Sequence, residues 1–186
     1  MRLALGTAQF GLAYGVANTE GQISQSSALE ILEYCKVIGL ETLDTAIAYG
    51  ESEQCLGSIG VTNFNVITKL PFIPEGCADI ENWIMKEVDA SISRLNGISL
   101  YALMLHRPEQ LLESYGQEIM SALWSLKQSG IVQKIGISVY SPDEFRALFS
   151  EYNFDIVQCP FNLIDRRLVC SGWLETKGWD LKRWSR

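Results

Sequence analysis

The sequence holds a single histidine, His106, and its five cysteines (Cys35, Cys55, Cys77, Cys159 and Cys170) include no Cys-x-x-Cys pair. One imidazole and no paired thiols or clustered carboxylates fall short of a zinc ligand set, so no metal site is expected and a metal-dependent barrel hydrolase is disfavoured. The odd, scattered thiols also exclude a disulfide framework and point to a reducing compartment, with the cytoplasm as the expected location. No apolar stretch approaches the roughly 20 residues of a membrane span, and the run after Arg2 is broken by Gly6 and Gly11 well short of a signal-peptide core. No Lys/Arg cluster occurs before the last ten residues and the formal charge is −7, so neither nucleic acid nor an anionic membrane surface is expected as a partner. A small molecule or another protein fits better.

What is present is a chain of 186 residues, 47% hydrophobic, enough to bury the core of one globular domain. Short apolar runs recur as LALGT (3–7), LETLDTA (40–46), FNVITKL (64–70), LYALMLH (100–106), VQKIGISV (132–139) and FDIVQCP (154–160). Most are continuously apolar rather than alternating, as expected of parallel strands covered on both faces. Helical patterns lie between them. Ala28, Leu29, Leu32, Cys35 and Lys36 share helical spacing and close on Gly39; Ile80, Ile84, Val88, Ile92 and Leu95 repeat every three or four residues up to Asn96-Gly97. GQEIMSALWSLKQSG (116–130) and SPDEFRALFSEY (141–152) behave likewise, the latter with Ser141 as N-cap and Pro142 opening the helix. This βα alternation allows a doubly wound open sheet or a closed barrel. The glycines after the first strand (Gly11, Gly15, Gly21) do not form a G-x-G-x-x-G turn into a helix, which weakens the dinucleotide-binding open sheet and favours the barrel.

Asp44 ends the second predicted strand, Lys69 the third and His106 the fourth. Taken singly, such residues are ordinary: an Asp caps a turn, a Lys reaches solvent, a His or Tyr anchors a loop. In a barrel, however, consecutive strand ends meet at one mouth, the face that carries catalytic groups. The joint arrangement therefore argues for a site.

Several stretches carry a resemblance: GTAQFGLAYG at the start, DTAIAYGESEQCLG at 44–57, ITKLP at 67–71, LHRP at 105–108, GISVYS at 136–141 and VQCPFN at 157–162. Together they resemble the aldo-keto reductase family over residues 1 to about 175. The resemblance implies a (β/α)8 TIM-type barrel, NADP(H) as cofactor and hydride transfer between that cofactor and a carbonyl or alcohol substrate. It implies a catalytic set of Asp44, Tyr49, Lys69 and His106. Tyr49 would be the general acid for the carbonyl oxygen, and since a free phenol titrates near pH ~10, a neighbouring Lys69 ammonium would bring its proton transfer nearer working pH. Asp44 would hold Lys69, and His106 would orient the carbonyl and donate a hydrogen bond where negative charge develops. Thr7 and Asp44 would lie near the nicotinamide ribose, with Ser138 and Gln158 on the carboxamide. Val139 stands where the family often has Asn, removing one expected carboxamide bond.

A complete barrel has eight strands, typically in about 250 residues, whereas only 26 residues follow Pro160 here. The expectation is an incomplete barrel of about six βα units, occupying residues 1–175, without the strands seven and eight that in the family stack on the nicotinamide and bind the phosphates. Residues 176–186 then form an atypical basic tail; KGWDLKRWSR puts two tryptophans and four basic residues in ten positions, as if read past a frameshift or premature stop. The sheet edges at strands one and six would be open to self-association, and cofactor binding and activity would be weak or absent. The rival reading is a non-catalytic remnant, a half-barrel serving as a binding module.

Overall fold

The apolar runs become one parallel sheet in the computed structural model, which describes residues 3–172. Its strands are β1 (Ala4–Gly6), β2 (Thr42–Asp44), β3 (Asn65–Leu70), β4 (Leu100–Leu105), β5 (Val132–Ser138) and β6 (Ile156–Gln158), paired in sequence order. Every pairing is parallel, with Gly6 opposite Asp44, Asp44 opposite Ile67, Lys69 opposite Met104 and Ser138 opposite Gln158. β2 and β6 are shorter than their apolar runs.

The sheet is curled into a half-barrel, and one hydrogen bond shows the curl. In a flat sheet β2 and β6 would lie about 19 Å apart, four strand spacings of about 4.8 Å, a gap no pair of side chains can bridge. Yet Gln158 Nε2 on β6 donates to Asp44 Oδ2 on β2 at 3.0 Å. The open-sheet alternative is thereby excluded, and the fold is that of a (β/α)8 barrel represented by six of its strands among the described residues.

The two faces of the sheet are packed differently. Outward-facing Leu43, Val66, Leu70, Leu103, Leu105, Ile135 and Ile137 join the main core with the helices. Ile67, Ala102 and Met104 form a small separate cluster, with Tyr101 and Ile156 against it. Burial on both faces is why the strands read as continuous apolar runs.

The helices that cover the outside follow the sequence pattern with local corrections. After α1 (Ala8–Gly11) comes α2 (Gln25–Val37), where Ser24 caps the start by accepting from Ser27 N and Gly39 takes φ +69 just past the end. Its buried stripe is Ala28, Leu32 and Cys35, while Leu29 is 44% exposed and Lys36 pairs with Glu33, so those two do not face the core. α4 (Ile80–Arg94) buries Ile80, Ile84 and Val88 and stops before Asn96 and Gly97, both at positive φ. α5 (Gly116–Gln128) and α6 (Pro142–Glu151) appear as expected, with Ser141 Oγ accepting from Glu144 N at 3.2 Å. Two helices were not visible as periodic patterns: α1 (Ala8–Gly11), a single turn after β1, and α3 (Ser52–Ile59), which follows β2. A short 3-10 segment, Pro108–Leu112, follows β4, and α7 (Arg167–Cys170) follows β6. The tail expected at residues 176–186 lies outside the described residues. Among those described, no helix is long and apolar enough to cross a membrane, and no cluster of ligating side chains could hold a metal ion.

Candidate active site

Asp44 is the last residue of β2, Lys69 the penultimate residue of β3, and His106 follows β4, its N–H donating to Leu70 O at 3.1 Å. Parallel strands put these three positions at one end of the half-barrel, the end where β-strand C-termini meet the loops. Lys69 is fully buried, and Nζ donates to Asp44 Oδ1 at 2.5 Å and to Thr45 O at 2.8 Å. A buried ammonium is tolerable only with such compensation, so the Asp44 carboxylate and the Thr45 carbonyl hold Lys69 where it lies. Tyr49, on the loop after β2, places its ring centroid 5.2 Å from Lys69 Nζ. His106 meets the Tyr49 ring edge to face, centroids 5.9 Å apart at 83°. The four side chains expected to act together are gathered in one place: carboxylate to ammonium, ammonium to phenol ring, phenol ring to imidazole.

The residues expected at the cofactor lie beside them. Ser138 and Gln158 end β5 and β6, face each other in the parallel register and are buried. Gln158 spends its amide N–H on Asp44, and its Oε1 is buried without a hydrogen-bond partner. Buried acceptors are normally satisfied, so an open one at the mouth suits an incoming N–H donor such as a carboxamide. Val139 turns to the outer core, while its N–H donates to Gln158 O at 2.8 Å and so fixes the Gln158 backbone. Thr7 is also buried next to Asp44, but its hydroxyl donates to Asp44 O at 3.1 Å and lies 2.9 Å from Ser52 Oγ. Its side chain thus ties β1 to the end of β2.

Two buried residues near the site were not singled out from sequence. Ser52, fully buried at the start of α3, donates to Thr7 O at 2.9 Å and sits 3.0 Å from Thr45 Oγ1, closing a hydroxyl cluster beneath Asp44. Glu53 accepts from Thr68 Oγ1 (2.6 Å) and Ser91 Oγ (2.7 Å) at one oxygen and from Arg94 Nε (2.8 Å) at the other. Their signal was the Ser-Glu pair three residues after Tyr49 inside the long DTAIAYGESEQCLG match. Cys159, adjacent to Gln158, is no nucleophile at neutral pH: burial, with a smaller contribution from Asp165, pushes its thiol up to about 11.

Comparison with known proteins bears on the family and the fold. The chain is 28% identical over 149 residues to the uncharacterized oxidoreductase YcsN of Bacillus subtilis, covering 70% of this chain and 49% of that protein. It is 22% identical over 179 residues to the aldo-keto reductase YhdN of the same organism, covering 90% of this chain and 52% of that protein. The chain therefore spans about half the length of these relatives. Among solved structures, a putative aldo-keto reductase from Pseudomonas aeruginosa superposes with a TM-score of 0.74 at 24% identity, covering 91% of this chain and 66% of the other. The holo form of an aldo-keto reductase from Bacillus halodurans superposes with a TM-score of 0.70 at 22% identity, covering 89% and 55%; both structures share the fold. With the family model for the Aldo/keto reductase family matching residues 2–177, the chain belongs to the aldo/keto reductase family, whose members generally use NAD(P)H.

Proposed function

We propose that this chain carries the proton-transfer site of an NADP(H)-dependent oxidoreductase acting on a small carbonyl or alcohol substrate. The observation that supports this most is Lys69, fully buried, bonded to Asp44 at 2.5 Å and set 5.2 Å from the Tyr49 ring centroid. A buried lysine is costly unless it is paired; here Asp44 pairs it, and its position beside a phenol suits a group that tunes proton transfer.

In this reading Asp44 fixes Lys69, and the Lys69 ammonium stabilises negative charge on the Tyr49 oxygen as its proton leaves. Tyr49 delivers that proton to the carbonyl oxygen. His106, packed against Tyr49, orients the carbonyl and donates a hydrogen bond to the same oxygen. Ser138 and Gln158 would hold the carboxamide of the nicotinamide, with the open Gln158 Oε1 accepting from its N–H; when bound, the cofactor supplies the hydride. In the reverse direction Tyr49 takes the alcohol proton. The catalytic unit is residues 1–175 and its setting the cytoplasm.

The second reading, a half-barrel binding module, is favoured by a different observation: among the described residues β1 and β6 each have only one neighbour in the sheet. Such edges can pair with another chain or another segment. Cofactor binding separates the readings. Titration of the purified chain with NADPH, following nicotinamide fluorescence and melting temperature together, should give a saturable rise in Tm, reached only at high cofactor concentration in keeping with weak binding, that Gln158→Ala weakens further. No shift in a folded sample would overturn the cofactor assignment and leave the module.

A further inference from the structure

The turn that carries Tyr49 is closed by a hydrogen bond from Ser52 N to Tyr49 O at 3.0 Å. Gly11, the last residue of α1, presses against this bond. A methyl group at Gly11 would lie 2.0 Å from Tyr49 O, 2.2 Å from Ser52 N and 2.7 Å from Glu51 N, inside the space the hydrogen bond occupies. The approach is reciprocal: at Gly50, φ +55, an added Cβ would lie 2.4 Å from Gly11 O and 2.9 Å from Leu12 Cδ2. Backbone meets backbone, which only glycine permits at such distances. The contact is also fastened chemically, since Ser52 Oγ donates to Thr7 O immediately before α1. α1 is thus a platform against which the 49–52 turn is set, and β1 supports that platform through Thr7.

We propose that Gly11 is a positioning residue for Tyr49. Its missing side chain leaves room for the turn to close and so fixes the phenol ring relative to Lys69 and His106. The catalytic consequence rests on Tyr49 being the proton donor; the positional claim does not. Gly57 supplies a matched control, because a Cβ there would lie 2.0 Å from Arg94 O, equally crowded but toward α4 and away from Tyr49.

The test is NMR of the chain labelled with 13C at tyrosine Cζ, the Tyr49 resonance being assigned by its loss in Tyr49→Phe. Gly11→Ala should displace that resonance and its titration midpoint, whereas Gly57→Ala should leave both unchanged. In NADPH-dependent carbonyl reduction, Gly11→Ala should lower kcat, on the order of 100-fold for a displacement near 1 Å, with little change in cofactor KM. Ser52→Ala adds no bulk and should shift the resonance in the same sense by a smaller amount, which keeps the question answerable if Gly11→Ala does not fold. An unmoved Tyr49 resonance in folded Gly11→Ala, or in Ser52→Ala where that alone folds, would overturn the proposal, as would an equal displacement by Gly57→Ala. Absence of turnover in the unaltered chain would count against the reductase reading only, because the resonance reports position without catalysis.

Discussion

Thr68 and Lys69 are neighbours on β3, and alternation along the strand sends them to opposite faces of the sheet, each to a buried carboxylate. Inside, Lys69 meets Asp44, which also accepts from Gln158 across the half-barrel. Outside, Thr68 donates to Glu53, which also accepts from Ser91 and Arg94. The outer carboxylate joins α3, β3 and α4 through donors on all sides, and its cation keeps a partly exposed side chain. The inner one holds a fully buried lysine beside a phenol, and each neighbourhood leaves one buried polar atom unpartnered, Gln158 Oε1 at the mouth and Arg94 Nη2 outside. Burial and charge pairing alone therefore do not mark a functional site. What distinguishes the inner pair is the phenol ring beside its cation.

Substitution should split them accordingly. The largest effect is expected of Lys69→Met, which strands a buried Asp44 and should cost about 3–5 kcal/mol in urea denaturation. The double variant Asp44→Leu/Lys69→Met should recover part of that stability, since Gln158 Nε2 loses its acceptor, yet show no reductase activity. Recovery of activity together with stability would erase the distinction between the pairs. Glu53→Gln comes next: Thr68 and Ser91 keep an acceptor, but the bond to Arg94 is lost, for about 1–3 kcal/mol. Its folded fraction should keep the Tyr49 resonance in place, and movement of that resonance would show that the outer pair also serves the site. The smallest effect concerns Cys159. With its thiol pushed up to about 11, it stays protonated at pH 8, so mass-spectrometric mapping should find the exposed Cys170 alkylated first and Cys159 only as the pH nears 11.

Much of the inner pair could be read from the chain because strand ends are marked by apolar runs, and ionisable residues at the ends of three successive runs are conspicuous. The closure of the sheet was less legible. Nothing local links Asp44 to Gln158, 114 positions apart, and their hydrogen bond exists only because the strands curl. Ser52 and Glu53 escaped notice because α3, at eight residues, is too short to declare itself by period, and their partners Thr7, Ser91 and Arg94 are distant in sequence. For Leu29 and Lys36, helical spacing was right about the helix and wrong about the face, since α2 buries only the narrower stripe of Ala28, Leu32 and Cys35. Thr7, expected from the resemblance near the nicotinamide ribose, lies next to Asp44, and the sequence could not reveal that its hydroxyl is engaged with the backbone beneath the site.

The central claim is that the inner group acts as one proton-transfer unit with Tyr49 at its working end. Its most direct test is NADPH oxidation with a neutral aromatic aldehyde, comparing the unaltered chain with Tyr49→Phe, which removes the transferable proton and leaves the ring in place against Lys69 and His106. The account predicts aldehyde-dependent oxidation that falls by about 100-fold or more in Tyr49→Phe with the melting temperature little changed. Equal rates in the two proteins would contradict it.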